Sequence, residues 1–203
     1  MIHGDDVSTG SVSGSTGLSG ELARQLRWHW EHHLSQRLEG MTDEEYHWEP
    51  ARGAWGLRPR GVTGPEHPGA VQAGSGEWVV DFAVPEPSPP PVTTMAWRTA
   101  HVLVGVLGER MAGHFGGPAV DYFTYDYPGT AEDAYARLGA AVGGWCDAVG
   151  TLGPSELEEP VGEAEGPWAE HPMIELVLHI NREVIHHGAE MCLLRDLYRA
   201  ERT

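Results

Sequence analysis

The stretch LHINREVIHHGAEMCLLRDLY, residues 178–198, decides how this chain folds. Its apolar residues recur at intervals of three and four, which predicts a long amphipathic helix. Pro172 suits the first position of that helix, and the pattern continues to about Arg199. The stretch also carries several histidines and acidic groups. The direction in which the helix faces therefore determines whether these groups meet solvent or the protein core.

A helical projection places two of the polar groups inside the apolar sector. The projection takes the direction of His179 as zero and advances by about 100° per residue. Glu183 then falls at about 40° and His187 at about 80°. The apolar arc that covers this sector consists of Leu176, Ile180, Val184, Met191, Leu194 and Tyr198. His179 and His186 fall at the border of the arc. We therefore predict that Glu183 and His187 point inward.

A carboxylate and an imidazole one turn apart are costly to bury unless something satisfies them. A divalent metal ion would satisfy both, because the i, i+4 spacing puts the two side chains on one side of the helix, about 6 Å apart along its axis. A neutral hydrogen-bonded pair is the alternative interpretation. Two ligands do not make a site, so a third ligand has to come from another helix.

The second long helix offers that third ligand. It begins after a cap at Thr93 or Thr94, and His101 lies at the edge of its apolar face. His101 together with Glu183 and His187 would give three protein ligands on two helices. This set leaves one coordination position open for water or a thiol sulfur, as in a catalytic zinc site. For His101 alone, a core histidine hydrogen-bonded to a neighbour is the alternative.

Two other histidine patterns are weaker candidates. Glu183-x-x-His186 has the spacing of ferritin-like di-iron bundles, but such a site needs a second Glu-x-x-His. The second instance, which ends at His47, stands in a short turn, and we reject the di-iron interpretation. His29 and His33 alternate with tryptophans, and we predict a solvated or rim position for them.

The remaining elements complete an all-α prediction. A first helix covers about residues 19–38, and a short turn follows in which Thr42 and Glu45 form a capping box. A third long helix begins at Thr130. Four long amphipathic helices with one long crossover loop predict a four-helix bundle.

The crossover, residues 51–92, is rich in Gly and Pro and contains one strand-like run, EWVVDFAV. We interpret it as an elaborated loop that lies over one face of the helices. A second apolar strip on the last helix, away from the metal arc, consists of Ile174, Leu178, Ile185 and Cys192. We predict that this strip packs against residues 51–92 or against a second subunit.

Composition sets further bounds. The 203 residues fit one domain, with a disordered Ser/Gly-rich leader over residues 1–18 and the helical domain over residues 19–203. All thirteen basic residues are arginine and face thirty acidic ones, for a formal charge of −17. A nucleic-acid partner is therefore not expected. The absence of lysine, with abundant Gly, Ala, Pro and Arg, is typical of a high-GC bacterial genome.

Cysteine content and hydropathy indicate the cellular compartment in which the protein is expected. Cys146 and Cys192 lie within apolar helical patterns, which predicts buried thiols rather than a disulfide. No apolar stretch has the length of a membrane-spanning helix. We therefore expect a soluble, cytoplasmic protein without a membrane partner.

Three motifs in order resemble the DinB superfamily of four-helix bundles. They are LEGMTDEEYHWEP at residues 38–50, TTMAWRTAHVLVGVLG at residues 93–108, and the last-helix stretch at residues 178–198. The resemblance spans roughly residues 20–200. It is to the actinobacterial branch in particular, which contains mycothiol-dependent maleylpyruvate isomerase.

The resemblance implies a metal site and a reaction class. Members commonly bind zinc or nickel through a His on the second helix and a pair one turn apart on the fourth, which here correspond to His101, Glu183 and His187. A low-molecular-weight thiol, mycothiol in actinobacteria, would bind the metal as thiolate and attack a small electrophilic substrate. Arg98 and His179 are the candidate catalytic residues, to hold a carboxylate or shuttle a proton.

The resemblance leaves the exact activity open. It implies a metal-dependent S-transferase or isomerase in detoxification or secondary metabolism. The chain lacks the additional C-terminal domain that maleylpyruvate isomerase itself would call for. Two alternatives remain: a metal-free tailoring enzyme on the same bundle, and a non-enzymatic stress-related binding protein. A homodimer is compatible with each of them.

Overall fold

The computed structural model describes residues 17–202. The leader predicted over residues 1–18 therefore lies almost entirely outside the described residues. The first long helix, α1, begins at Leu18 and consists of Leu18–His29, a π-helical turn at Trp30–Leu34, and Ser35–Leu38 without a break. Its start and end agree with the predicted helix over residues 19–38, whereas the π-helical turn was not foreseen.

A short helix, α2, covers Asp43–His47 and has the predicted capping box. The Glu45 amide donates to Thr42 Oγ1 at 3.3 Å, and the Thr42 amide donates to Glu45 Oε2 at 3.0 Å. The two bonds satisfy amides at the helix start that have no partner within the helix.

The second long helix, α3, also contains a π-helical turn. It consists of Met95–His101, the π-helical segment Val102–Gly108, and Glu109–Phe115. Thr94 caps it, as predicted, by accepting a hydrogen bond from the Trp97 amide. Gly116 ends it in the left-handed conformation that glycine adopts without strain.

Two more long helices complete the helical body. The third, α4, covers Ala131–Gly150 and is capped by Thr130. A short helix, α5, follows at Pro154–Glu158, then a 3₁₀ segment at Glu163–Trp168. The last helix, α6, covers Met173–Ala200.

The four long helices pack around one core. Trp145 of α4 is fully buried and donates its indole N–H to Asn181 Oδ1 of α6 at 3.1 Å. The Asn181 amide in turn donates to the Leu22 carbonyl of α1 at 2.9 Å. These two buried hydrogen bonds join α1, α4 and α6. They stabilise the packing of the three helices, since a buried polar group that lacks a partner would cost about 1–3 kcal/mol.

The crossover segment holds a small sheet, so the all-α prediction was incomplete there. Strands β1 (Leu57–Pro59), β2 (Ala70–Ala73) and β3 (Trp78–Ala83) form an antiparallel sheet in the order β1–β3–β2. The strand-like run EWVVDFAV forms β3. The other two strands are only three and four residues long, and Gly and Pro surround them, so their sequence carries little alternating pattern.

Asp81 holds the crossover segment together through its buried carboxylate and connects it to the helical body through its main-chain carbonyl. Asp81 of β3 accepts hydrogen bonds from the Gly56 amide, the Arg58 guanidinium and the Gln72 side chain. The Asp81 carbonyl accepts the indole N–H of Trp97 in α3 at 2.7 Å. The crossover segment therefore packs against the start of α3, next to His101.

The second apolar strip of α6 packs in part against α1, which was not predicted. Gly188 lies on the same side of α6 as Cys192, and a Cβ at Gly188 would come into contact with the Leu34 side chain of α1. Ile185 also packs against the core. At Cys192 the strip faces α1 because α1 and α6 are neighbours in the helical body, whereas the sheet packs on α3. Leu178 alone among the four keeps a large exposed fraction, 47%.

Cys146 and Cys192 are both buried free thiols, as predicted. Burial raises the pKa of Cys146 to about 11. Within residues 17–202, no helix is both long enough and apolar enough to cross a membrane.

Candidate metal centre

The helical body brings His101, Glu183 and His187 together. His101 ends the first α-helical part of α3, immediately before its π-helical turn, and the other two lie one turn apart on α6. One ligand atom from each residue lies within 4.8 Å of the other two. All three side chains are partly buried. π-helical turns are frequent at functional sites, and this one directly follows the candidate ligand.

The distance between the two α6 groups suits a bound ion. Glu183 Oε2 and His187 Nε2 are 3.5 Å apart. Two atoms that each bind zinc at about 2.1 Å with tetrahedral geometry lie about 3.4 Å from each other. The rings of His101 and His187 are nearly perpendicular, at 88°, with centroids 4.9 Å apart. The donor set of two imidazoles and one carboxylate is one that divalent transition metals accept.

A carboxylate holds His187 in the orientation that a metal ligand needs. His187 Nδ1 lies 2.8 Å from Glu190 Oε2, and Glu190 forms an ion pair with Arg98 of α3. With the proton on Nδ1 donated to this carboxylate, the lone pair of Nε2 points toward Glu183. A carboxylate behind a histidine fixes the tautomer and raises the basicity of the ligand nitrogen.

His101 is held by two aromatic side chains. Its Nδ1 lies 2.7 Å from the Tyr122 hydroxyl, and the Trp97 ring stacks on it at 5.5 Å with an interplanar angle of 18°. Burial first, and then the charge of His187, lower the pKa of His101 to about 4. A neutral imidazole at pH 7 has the lone pair of one ring nitrogen available to a metal ion.

Gly105, one turn after His101, allows Tyr122 to reach the histidine. A Cβ at this position would collide with the Tyr122 hydroxyl and approach His101 Nδ1. Burial raises the pKa of Tyr122, so its hydroxyl keeps its proton. The approach of Tyr122 to His101 therefore depends on the absence of a side chain at residue 105.

The two predicted catalytic residues lie in different surroundings. Arg98 contacts Glu190 and lies 3.3 Å from His187 Nδ1, on the side of His187 away from the ligand atoms. His179 is 46% exposed, and its Nδ1 lies 3.7 Å from Glu183 Oε1. Of the two, His179 lies on the open side of the cluster, whereas Arg98 contacts the side chains that support it.

The competing histidines lie outside the three-residue cluster. His186 is 60% exposed. With His187 and Glu190 it forms a second group whose ligand atoms also lie within 4.8 Å of one another. The Glu190 carboxylate of that group is already paired with Arg98, which makes it a poor place for a second cation. His33 is exposed and His29 half-buried, with ring centroids 5.7 Å apart.

A cavity of about 520 Å³ opens beside His179. Its wall includes Arg110 of α3, Trp168 of the 3₁₀ segment, and Leu176, His179 and Arg182 of α6. Two residues of the wall, His179 and Arg182, each lie 3.7 Å from Glu183 Oε1, so the cavity lies beside the cluster on its exposed side. Its volume is in the range of small-molecule sites.

Glu190 and Tyr122 were not foreseen from the sequence. Glu190 falls near about 20° on the same helical projection, between His179 and Glu183, so its position on the ligand face was available. Its contact with Arg98 depends on a second helix and has no sequence signal. Tyr122 stands in the connection after α3, where no periodic pattern indicates the direction of a side chain.

Comparison with known proteins gives one result. The sequence profile described as the DinB superfamily matches residues 25–191. No curated protein and no solved structure shows a significant match to the chain. The matched range includes α2, α3 and α4 and every member of the candidate metal centre.

Proposed function

The chain belongs to the DinB superfamily, and on this premise we propose that it is a metal-dependent enzyme of thiol chemistry. His101, Glu183 and His187 are the proposed ligands of a divalent zinc or nickel ion. The reaction is the transfer of a thiol to a small electrophilic substrate, or its thiol-assisted isomerisation. The helical body is proposed to be a DinB-type four-helix bundle.

One observation carries this proposal: three ligand groups from two helices converge within 4.8 Å, and each histidine has its Nδ1 engaged. A polar surface has no reason to hold two imidazoles and a carboxylate with one ligand atom of each so close together. A buried hydrogen-bonded pair would not need the third group. The arrangement fits a three-ligand site with an open position.

The chain's own residues have separable tasks. When bound, a divalent ion lowers the pKa of a coordinated thiol and so supplies a nucleophile at neutral pH. Arg98 and Glu190 orient His187, and Tyr122 with Trp97 orients His101. His179, on the open side, is placed to exchange a proton with substrate or water. Arg98 thus acts through Glu190 and His187 rather than on the substrate.

The thiol is proposed to be mycothiol. We choose mycothiol because the lysine-free, Gly/Ala/Pro/Arg-rich composition is typical of high-GC actinobacteria. A cytoplasmic location accords with two free, buried cysteines. A homodimer is compatible with this function but is not required by it, since the three ligands come from one chain.

Elemental analysis of the purified protein tests the metal proposal. We expect one equivalent of zinc or nickel in the native chain and its loss in His187→Ala. His33→Ala is the matched control, because that exposed histidine lies outside the cluster, and it should keep the metal.

A measurement of turnover then distinguishes an enzyme from a non-enzymatic binding protein. We expect consumption of an electrophile such as 1-chloro-2,4-dinitrobenzene to require both the metal-loaded protein and added thiol. A native protein that holds no metal after zinc or nickel loading would contradict the proposal and favour a metal-free tailoring enzyme. Stoichiometric metal without thiol-dependent turnover would favour a non-enzymatic binding protein.

A further inference from the structure

The cavity beside His179 has two chemically distinct parts. Val161 and Leu176 are nearly buried and form an apolar base. The Trp168 ring, 62% exposed, stands at its edge in T-shaped contact with His171 at 5.0 Å. An exposed tryptophan beside an apolar base offers a surface on which a planar, apolar molecule can stack.

The charged part of the cavity contains two arginines with different surroundings. Arg110 is engaged by Glu165, with NH2 to Oε2 at 3.1 Å, and also lies 3.1 Å from Glu109. Arg182 has a longer carboxylate contact, 3.7 Å to Glu183, and its other contact is with His179 Nδ1. Arg182 therefore retains donor capacity toward the cavity.

Arg182 is also accessible, since its side chain is 67% exposed and lines the cavity. An anion in the cavity can therefore reach the guanidinium without a buried ion pair being broken.

We propose that this cavity binds a substrate that has a carboxylate and a planar, apolar body, and that Arg182 selects for the carboxylate. The apolar base and Trp168 hold the body, and Arg182 holds the anionic end. Because His179 and Arg182 of the wall both contact Glu183, a substrate held there lies next to the candidate metal centre. The assignment of this ligand as substrate rests on the proposed function, whereas its binding does not.

Binding of two probes of equal shape tests the proposal. Cinnamate carries the carboxylate, and cinnamamide replaces it with a neutral amide. Dissociation constants are measured by calorimetry on the full chain. We expect cinnamate to bind about fivefold more tightly, near the upper end for a partly exposed ion pair. Arg182→Gln should remove this preference, and Arg182→Lys should keep most of it.

Controls distinguish Arg182 from the metal and from general charge. Arg202→Gln changes an exposed arginine at the end of the same helix and should leave the preference intact. The measurement is repeated on the chelated protein and on His187→Ala, where carboxylate binding to a metal ion cannot occur. Retention of the preference there supports the arginine even if the metal proposal fails.

Three outcomes would overturn the proposal. They are equal affinity of the two probes for the native chain, a preference that survives in Arg182→Gln, and a preference that disappears on chelation. A native chain that does not measurably bind cinnamate at millimolar concentration would also overturn the proposal.

Discussion

At the scale of single residues, the side chain that does most to define the candidate metal centre is Glu190, which is not itself one of the three ligands. It accepts from His187 Nδ1 and pairs with Arg98 of the neighbouring helix. It therefore connects the orientation of a ligand on α6 to a charge on α3. Mutation of a side chain that supports a metal ligand in this way commonly weakens metal binding by about 10- to 100-fold.

We expect Glu190→Gln to weaken metal binding by about 10- to 100-fold. The amide oxygen can still accept from His187, but it carries no charge to raise ligand basicity, and Arg98 loses its ion pair. Competition with a chromophoric chelator measures the change. Glu175→Gln is the control, since Glu175 lies on the same helix but contacts His171, which precedes that helix and is not a proposed ligand. Equal affinity of the two variants would contradict the role given to Glu190.

The three proposed ligands were identifiable from the sequence because each lies on a long helix. Helical periodicity converts sequence spacing into direction, and it placed Glu183 and His187 on the core side. Tyr122 lies in a connection that has no such rule. Arg98 was identified as a candidate catalytic residue, but its contact with Glu190 could not be predicted because that partner is on another helix.

At the scale of elements, a buried ion-pair cluster joins the short helix α2 to the last helix. Glu45 is almost fully buried and accepts from Arg195 at 3.0 Å and from Arg199 at 2.6 Å. Arg195 is also almost fully buried, so each group depends on the other for its partner. Removing one member of such a pair costs about 3–5 kcal/mol.

The cluster predicts a pH-dependent stability. Burial alone would raise the pKa of Glu45, but hydrogen bonds from the Thr42 amide and Arg199, with the charge of Arg195, outweigh it. The net pKa therefore lies below its ordinary value. The folded state favours the carboxylate, so the stabilisation is complete above the unfolded-state pKa of about 4.3. It is lost as the pH falls through the lower pKa of the folded state.

We expect Glu45→Gln to lower the free energy of unfolding by about 3–5 kcal/mol at pH 7. The difference from the native chain should shrink as the pH falls below about 4.3, because the native carboxylate is then protonated as well. Urea unfolding at a series of pH values measures both effects. Glu44→Gln, at an exposed site in the same helix, should change stability far less. A difference that stays constant down to pH 3 would refute the ion-pair explanation.

The elements differ in how well the sequence predicted them. The long helices and their caps at Thr94 and Thr130 were predicted because capping and periodicity are local properties. Strands β1 and β2 were missed, since their pairing with β3 is non-local. The π-helical turns in α1 and α3 were also missed, because composition does not distinguish them from α-helix.

At the scale of the whole molecule, the candidate metal centre lies between α3 and α6, two of the four long helices that pack around the core. An ion bound to both helices would bind the folded chain and have no comparable site in the unfolded one. Binding and folding would then be linked, and the stability of the entire domain would depend on metal concentration. This consequence requires no knowledge of the substrate.

We expect zinc or nickel at about 100 times its dissociation constant to stabilise the chain by about 2.7 kcal/mol. For a domain of this size, the Tm should rise by about 5–10 °C, at about 2–4 °C per kcal/mol. Scanning calorimetry with and without metal measures the shift. His187→Ala should show almost none, and Glu190→Gln, at the same metal concentration, an intermediate one. An equal rise in the native chain and in His187→Ala would mean that the ion binds elsewhere, since the proposed site depends on that imidazole.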